Sequence, residues 1–230
     1  MHVVGCLRMT NGDGEKTLQA RARLAGLLFL ADNALYIISF LASVAGPEEL
    51  RRPAIAFQAI ASAGTIALAW AFYELLKPAG HGLALMALLF RVAEAALFGV
   101  TAIFSLLLLT KETPGLDQAA LVLARSARFA SSSVGEVYFC AGSAVFFYLL
   151  FRSRFIPRAI AALGFVATIL ILASALAQIG APTFARHLAF SNPLLLIAET
   201  VTGVWLLVVG AKSRPARLPT PLSDPYPSGR

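Results

Sequence analysis

Long apolar stretches separated by short polar connections dominate the chain. A helix needs about 20 consecutive apolar residues to cross a bilayer, because backbone polar groups must be paired inside hydrocarbon. Six stretches reach that length and predict an all-α polytopic membrane bundle of six transmembrane helices: Leu24–Ala45, Pro53–Leu76, Gly82–Thr110, Phe129–Phe151, Pro157–Gly180 and Leu188–Gly210. Proline in the first turn of the second and fifth stretches fits a helix start, where its missing N–H is harmless.

The apolar stretches divide the chain into three parts. Residues 1–23 are predicted to form a cytoplasmic N-terminal leader, and residues 24–210 the six-helix membrane domain. Residues 211–230 contain five prolines among serines and arginines. Such a composition cannot bury a core, so this part is predicted to be a disordered cytoplasmic tail.

Three local patterns qualify this picture. Ser43-Val44-Ala45 resembles a signal-peptidase site, but the apolar stretch before it is longer than a signal core and contains Asp32. The connection Lys111–Arg128 is either a plain loop or a short helix lying on the outer surface. Small residues recur every fourth position from Ala59 to Ala71, a spacing that predicts close approach of another helix.

Composition supports a lipid environment. Hydrophobic residues make up 58% of the chain and charged residues only 13%, against roughly 25% charged in an average soluble domain. The formal charge of +7 comes from basic residues beside apolar stretches, which indicates a topology signal rather than nucleic-acid binding. The expected partner is therefore the lipid bilayer, with no nucleic acid.

Lysine and arginine counts predict the orientation. With six spans, the side that carries both termini holds twelve of these residues and the opposite side six. Trp70, Tyr73, Tyr148 and Trp205 fall toward the same ends of their spans, as an interfacial belt would. Both termini are therefore predicted to lie in the cytoplasm, with the protein in the cytoplasmic membrane.

Five ionisable residues lie well inside the apolar stretches: Asp32, Arg91, Glu94, Glu136 and Glu199. Each costs on the order of 3 kcal/mol on insertion scales if it has no partner. A rise of about 1.5 Å per residue places four of them in one layer about 12–18 Å deep, with Glu136 nearer the outer face. Arg91 and Glu94 are three residues apart, so they share a helix face and can pair.

Two interpretations of this layer remain open. The acids can form hydrogen bonds between helices and so fix the rotation of each helix. This interpretation suits a structural or regulatory subunit that acts through partner helices or an oligomer. Alternatively, they form a protonatable site that binds or moves a small solute or proton, since one arginine cannot neutralise four acids. Ala93-Glu94 and Ala198-Glu199 also begin similar short patterns, which hints at an inverted repeat typical of secondary transporters.

Catalytic and metal-binding patterns are not found in the sequence. It contains no HExxH, no GxSxG and no glycine-rich phosphate loop. The two cysteines, Cys6 and Cys140, have no metal spacing, and Cys140 is expected to be a small buried hydrophobe. We therefore predict no cofactor and no metal, and we do not expect an enzyme.

Three segments carry a resemblance to a known family: Phe90–Ala95, Tyr148–Arg158 and Glu199–Leu206. Together, in this order, they resemble the bacterial membrane family catalogued as domain of unknown function 4386, over roughly Arg21–Lys212. The Arg-Ser-x-x-x-Pro-Arg turn that ends at Arg158 is the most specific piece. The resemblance implies a multi-pass membrane protein, often with six spans and without an established activity, in which Arg91, Glu94 and Glu199 occupy recurring polar positions.

Overall fold

The computed structural model describes residues 11–44, 46–109, 117–181, 183, 188 and 190–212. Regular structure in these ranges is entirely helical, with one short 3-10 turn at Glu48–Leu50. The α-helices are α1 (Asn11–Val44), α2 (Arg51–Leu109), α3 (Gln118–Ser153), α4 (Arg158–Gly180) and α5 (Ser191–Val208). All five are long and apolar enough to cross a membrane, which confirms the predicted all-α class.

The number of separate helices differs from the predicted six. The second and third predicted spans form the single run α2, which is interrupted at Gly80, where the backbone is non-helical. Ser62 Oγ donates a 2.9 Å hydrogen bond to the carbonyl oxygen of Ala95, so the two halves of α2 lie side by side. Each half, residues 51–79 and 81–109, spans roughly 40 Å, enough for one crossing.

The helices pack in a closed ring. Neighbours in the ring are α1 with α2, α2 with α3, α3 with α4, α4 with α5, and α5 with α1. The core between them is built from small and aliphatic side chains together with Phe29, Phe72, Phe146 and Phe147. This arrangement places one face of α1, both halves of α2, α3 and α5 toward a common interior.

Several boundaries differ from those predicted. Helix α1 already begins at Asn11, inside the predicted leader. Residues 118–128 are the first turns of α3 rather than a loop or a separate helix, and the Asp117 carboxylate accepts a 2.7 Å hydrogen bond from the N–H of Ala120 at its start. Residues 1–10 and 110–116, and the predicted tail from residue 213 onward, lie outside the described residues.

The predicted small-residue stripe is not the packing face of α2. Ala59, Ala63 and Ala67 are exposed and only Ala71 at the end of the stripe is buried, while Ala61 and Thr65 on a different face are buried. A spacing of four residues identifies one face of a helix but not its neighbour. The buried face is the one that also carries polar residues toward the interior.

The most specific motif of the family resemblance forms the turn between α3 and α4. Arg154 adopts the left-handed conformation with φ 61°, and its N–H donates to the carbonyl oxygen of Leu150 at 3.1 Å. Pro157 then precedes α4. Its missing N–H costs nothing there, because an N–H at a helix start has no carbonyl partner within the helix. Of the motif residues, Pro157 thus suits the start of α4, and Ser153 Oγ accepts a 3.4 Å hydrogen bond from the N–H of Phe155 within the turn.

Candidate functional site

Arg91 is the centre of a buried ionic cluster in the interior of the bundle. Its side chain is 4% exposed, and its Nη1 lies 2.9 Å from Glu94 Oε2 on the next turn of α2. Nη2 lies 3.9 Å from Asp32 Oδ2 on α1, and Nη1 donates a 3.4 Å hydrogen bond to Ser143 Oγ on α3. The guanidinium carbon is also 5.0 Å from the centre of the Phe139 ring. One arginine thus contacts three helices.

Gly142 makes room for this arginine. A Cβ atom at this position would lie 3.0 Å from both Cγ and Cδ of Arg91. The absence of a side chain therefore lets the aliphatic part of Arg91 lie directly against α3. The close approach explains how a long side chain can be enclosed between two helices.

Asp32 is buried between α1 and the first half of α2. Thr65 Oγ1 lies 3.3 Å from Asp32 Oδ1 and 3.2 Å from Oδ2, and it is also 3.1 Å from the carbonyl oxygen of Ala61. A threonine hydroxyl has one proton to donate and two lone pairs that accept. These three oxygens therefore compete for a single proton, and the Tyr36 hydroxyl also lies near Thr65.

Glu199 brings a third carboxyl from α5. It is 6% exposed and interacts electrostatically with Arg91 and Asp32, without a direct ion pair to any described residue. The side-chain amide of Asn33 lies beside it, although Asn33 Nδ2 has no well-formed hydrogen bond among the described residues. The structure thus brings together Asp32, Arg91, Glu94 and Glu199, as their predicted depths suggested.

Glu136 does not join this cluster. It lies on α3 and is only partly buried, and it interacts electrostatically with Cys140, one turn later on the same helix. Within the described chain it forms no ion pair with Arg91. The sequence listed it as a candidate with the other four because all five residues interrupt apolar stretches, although its depth already predicted a position nearer the outer face.

Several buried polar atoms around the cluster have no hydrogen-bond partner among the described residues. They include Glu94 Oε2, whose contact with Arg91 lacks hydrogen-bond alignment, as well as Asn33 Nδ2 and the Tyr36 hydroxyl. Most buried polar groups in proteins are hydrogen-bonded, and an unpaired one costs about 1–3 kcal/mol. These three atoms at the cluster mark a region that can accept a further polar species.

An aromatic layer separates the cluster from the end of the bundle that carries the termini. The rings of Phe29 and Phe72 meet edge to face at 5.3 Å, and those of Phe72 and Phe146 stack at 5.1 Å. A cavity of about 10 Å³ next to these rings reaches Arg91 and Ser143. That volume is near the minimum for one water molecule. The cluster is therefore closed on this side.

An open cleft of about 890 Å³ lies on the opposite side, between α1, α2 and the start of α3. Its inner end includes Tyr36 and Phe98, whose rings meet at 5.8 Å. Tyr36 follows Asp32 by one helical turn, about 6 Å along α1. Its hydroxyl interacts electrostatically with Glu94 and Asp32. Tyr36 therefore stands between the cleft and the cluster.

Sequence reasoning missed four side chains that shape the site: Tyr36, Thr65, Ser143 and Asn33. The one available signal was spacing, because Tyr36 lies one turn after Asp32 and therefore shares its helix face. Thr65 and Ser143 are ordinary residues of apolar helices, and no local pattern distinguishes them. Only the packing of α1, α2 and α3 brings them to the carboxyls and the arginine.

Metal-binding geometry is absent from the part of the chain that the structure describes, where no group of three His, Cys, Asp or Glu side chains could hold an ion. His81 instead lies with Nε2 3.0 Å from the Tyr73 hydroxyl, at the end of the bundle that carries the termini. Cys140 is a free, fully buried thiol, as expected for a small hydrophobic side chain. The chemistry of the site rests on carboxyls, hydroxyls and one guanidinium.

The fold and the cluster define an all-helical bundle with helices long enough to span a membrane and a shared ionic centre. The family model described as domain of unknown function (DUF4386) matches residues 20–210. The chain therefore belongs to this family, as the resemblance in its sequence indicated. No curated protein and no solved structure gives a significant match to the chain.

Proposed function

We propose that this chain is a multi-pass protein of the cytoplasmic membrane that binds and moves a proton, alone or together with a small solute, at the Arg91 cluster. The observation that carries the proposal is that three buried carboxyls from three helices share one arginine. Both termini would lie in the cytoplasm, on the side with more lysine and arginine.

Charge balance supports proton uptake. With Asp32, Glu94 and Glu199 all ionised beside Arg91, the cluster would have a formal charge of −2. Burying uncompensated charge is far more costly than neutralising it, because water no longer solvates the carboxylates. At least one carboxyl therefore has to bind a proton or another positive group to remain in this environment.

The surroundings of Asp32 offer a specific place for that proton. When Thr65 donates to Ala61, its lone pairs face Asp32, and a protonated Asp32 can then donate to Thr65. When Asp32 is ionised, Thr65 can donate to the carboxylate instead. The distances of 3.1–3.3 Å allow either arrangement, so this pair accommodates both protonation states.

The unequal environment on the two sides of the cluster supports a role in transport. A cleft approaches it from one side as far as Tyr36, while the layer of Phe29, Phe72 and Phe146 closes the other. Many transporters bind near the middle of the membrane and open to one side at a time. In this protein, passage requires rearrangement of the aromatic layer.

Proton movement can be measured with purified protein in lipid vesicles that contain a pH-sensitive dye. A potassium gradient with valinomycin provides the driving voltage. We expect wild-type vesicles to acidify faster than protein-free vesicles, and Glu94→Gln and Glu199→Gln to lose most of that rate. Glutamine keeps the size and polarity of the side chain but cannot carry the proton or the charge.

Glu136→Gln is the matched control, because it removes a partly buried glutamate of α3 that lies outside the cluster. It should keep the wild-type rate. The proposal fails if wild-type and protein-free vesicles acidify equally, or if the two cluster variants move protons like Glu136→Gln. Size-exclusion chromatography in detergent establishes that each variant is folded before reconstitution.

A structural or regulatory subunit is the second candidate function, and one observation favours it. Arg91 joins α1, α2 and α3 through Asp32, Glu94 and Ser143, so the cluster also fixes how these helices pack. In that case Glu94→Gln would lower thermal stability or the recovery of a partner protein without changing any flux. Crosslinking in membranes that returned only monomer would contradict this second function.

A further inference from the structure

The cleft between α1, α2 and α3 has the size of a ligand-binding pocket. Its volume of about 890 Å³ falls within the range of about 300–1,000 Å³ that is common for small-molecule sites. It lies at the end of the bundle opposite the termini, beside the end of α1 and both ends of α2. Nothing in the proposed proton site requires a chamber of this size.

One face of α3 gives the cleft a positive wall. Arg125, Arg128, Phe129 and Ser132 line it, and as positions i, i+3, i+4 and i+7 they lie along a single helix face. Neither Arg125 nor Arg128 forms an ion pair with a described residue. Both are therefore available to bind an anion through charge-assisted hydrogen bonds.

The remaining charges of the cleft do not cancel this wall. Arg51 lines the opposite side and pairs with Glu48, with 3.3 Å between Nη1 and Oε1. Among the described lining residues, three arginines against one glutamate give a formal charge of +2. A cleft with one sign of charge attracts ligands of the opposite sign.

The cleft also has apolar walls. Phe40, Ile55 and Phe129 line it, and residues Phe40 and Phe129 are 64% and 56% exposed. Deeper in the cleft, Ser39 and Thr101 use their protons on carbonyl or neighbouring hydroxyl oxygens, so they offer acceptors more than donors. An anionic group is therefore best bound near the arginines, with apolar atoms against the aromatic walls.

We propose that this cleft binds an amphipathic anion, with a phosphate or carboxylate group between Arg125 and Arg128 and a hydrocarbon part against Phe40, Ile55 and Phe129. The anion comes either from a lipid with a charged headgroup or from a dissolved amphipathic molecule. This site does not depend on the proposed proton function, because its charged residues differ from those of the cluster.

Binding can be tested with labelled dodecyl phosphate and the full-length protein in nanodiscs of zwitterionic lipid, with empty nanodiscs as the baseline. We expect saturable binding that Arg128→Gln weakens by roughly ten-fold, the effect of losing one charge-assisted hydrogen bond. Arg52→Gln is the matched control, because it removes an exposed positive charge from the same end of the bundle outside the cleft. It should change affinity by less than about two-fold.

Competition separates the possible ligands. Dodecyltrimethylammonium, which has the same chain and the opposite charge, should not displace the probe, and inorganic phosphate should displace it only weakly. The same binding is then measured with the protein in nanodiscs that contain phosphatidylglycerol. Loss of probe binding in these nanodiscs assigns the site to a lipid headgroup, and unchanged binding assigns it to a dissolved amphipathic anion. Both outcomes support an amphipathic anion site.

Three results would overturn the inference: no saturable binding, equal weakening by Arg52→Gln and Arg128→Gln, or equal competition by the cationic amphiphile. If inorganic phosphate displaced the probe as well as unlabelled dodecyl phosphate does, the proposed contact of the hydrocarbon part with the aromatic walls would be wrong. Glu94→Gln should bind dodecyl phosphate like the wild type. A failure of proton transport therefore leaves this test unaffected, and the two proposals can fail separately.

Discussion

Replacing Arg91 with methionine is expected to lower the free energy of unfolding by about 3–5 kcal/mol, the usual effect of removing one partner of a buried ion pair. Methionine fills much of the same volume, so the main loss is the positive charge beside three buried carboxyls. The measurement is the midpoint of thermal unfolding in detergent, compared with the wild-type protein. Arg52→Met, at an exposed position, should leave the midpoint nearly unchanged.

A second substitution tests the physical reason for this effect. Combining Arg91→Met with Glu94→Gln removes the charge of the nearest carboxyl, whose Oε2 lies 2.9 Å from Arg91 Nη1. The double variant should therefore recover part of the lost stability, as expected for two residues in direct contact. An Arg91→Met protein with the wild-type midpoint would show that the arginine does not compensate the acids.

Replacing Gly26 with alanine is expected to destabilise the bundle by about 1–3 kcal/mol, toward the upper end of the overpacking range. A Cβ atom there would lie 2.6 Å from the backbone nitrogen of Leu207 and 2.7 Å from the carbonyl oxygen of Gly203. Because these are backbone atoms, no side-chain rotation can relieve the overlap, and α1 and α5 must move apart. Thermal unfolding in detergent measures the effect.

Gly99→Ala is the matched control for this substitution. Gly99 lies within α2, and a Cβ atom there would meet nothing within 4 Å. Alanine favours the helix over glycine by up to about 1 kcal/mol, so this variant should be as stable as the wild type or more so. Equal behaviour of Gly26→Ala and Gly99→Ala would contradict the close crossing of α1 and α5.

That crossing also matters for the ionic cluster. Asp32 follows Gly26 by six residues on α1, and Glu199 precedes Gly203 by one turn on α5. Separation of the two helices would therefore move both carboxyls relative to Arg91. Gly26→Ala is consequently expected to reduce proton movement as well as stability, whereas Gly99→Ala should affect neither.

The positions of Glu94 and Glu199 in one cluster are relevant to the inverted repeat that the sequence suggested. Both residues follow an alanine in a similar short pattern, and both reach the same cluster from different helices. An inverted repeat would bring equivalent positions together at the interface of the two halves. The shared location is compatible with that origin, which remains a prediction.

The depth of each charge was predictable from the sequence, because helical rise converts residue number into distance along an axis. Asp32, Arg91, Glu94 and Glu199 accordingly occupy one region of the bundle. Glu136 was grouped with them by hydropathy alone and lies apart. Its predicted depth, nearer the outer face, already distinguished Glu136 from the other four, but depth along an axis contains no information about which way each side chain points around it.

By itself, the sequence determined the all-helical class, the family and the extent of the apolar segments, because long stretches without polar residues allow few other structures. Tertiary packing alone decided that α2 folds back at Gly80 as one broken helix and that Ala59, Ala63 and Ala67 face outward. Packing also brought Tyr36, Thr65 and Ser143 to the charges and left a cleft on one side of them. These features depend on which faces of distant helices meet, and hydrophobic periodicity within one helix does not specify its neighbours.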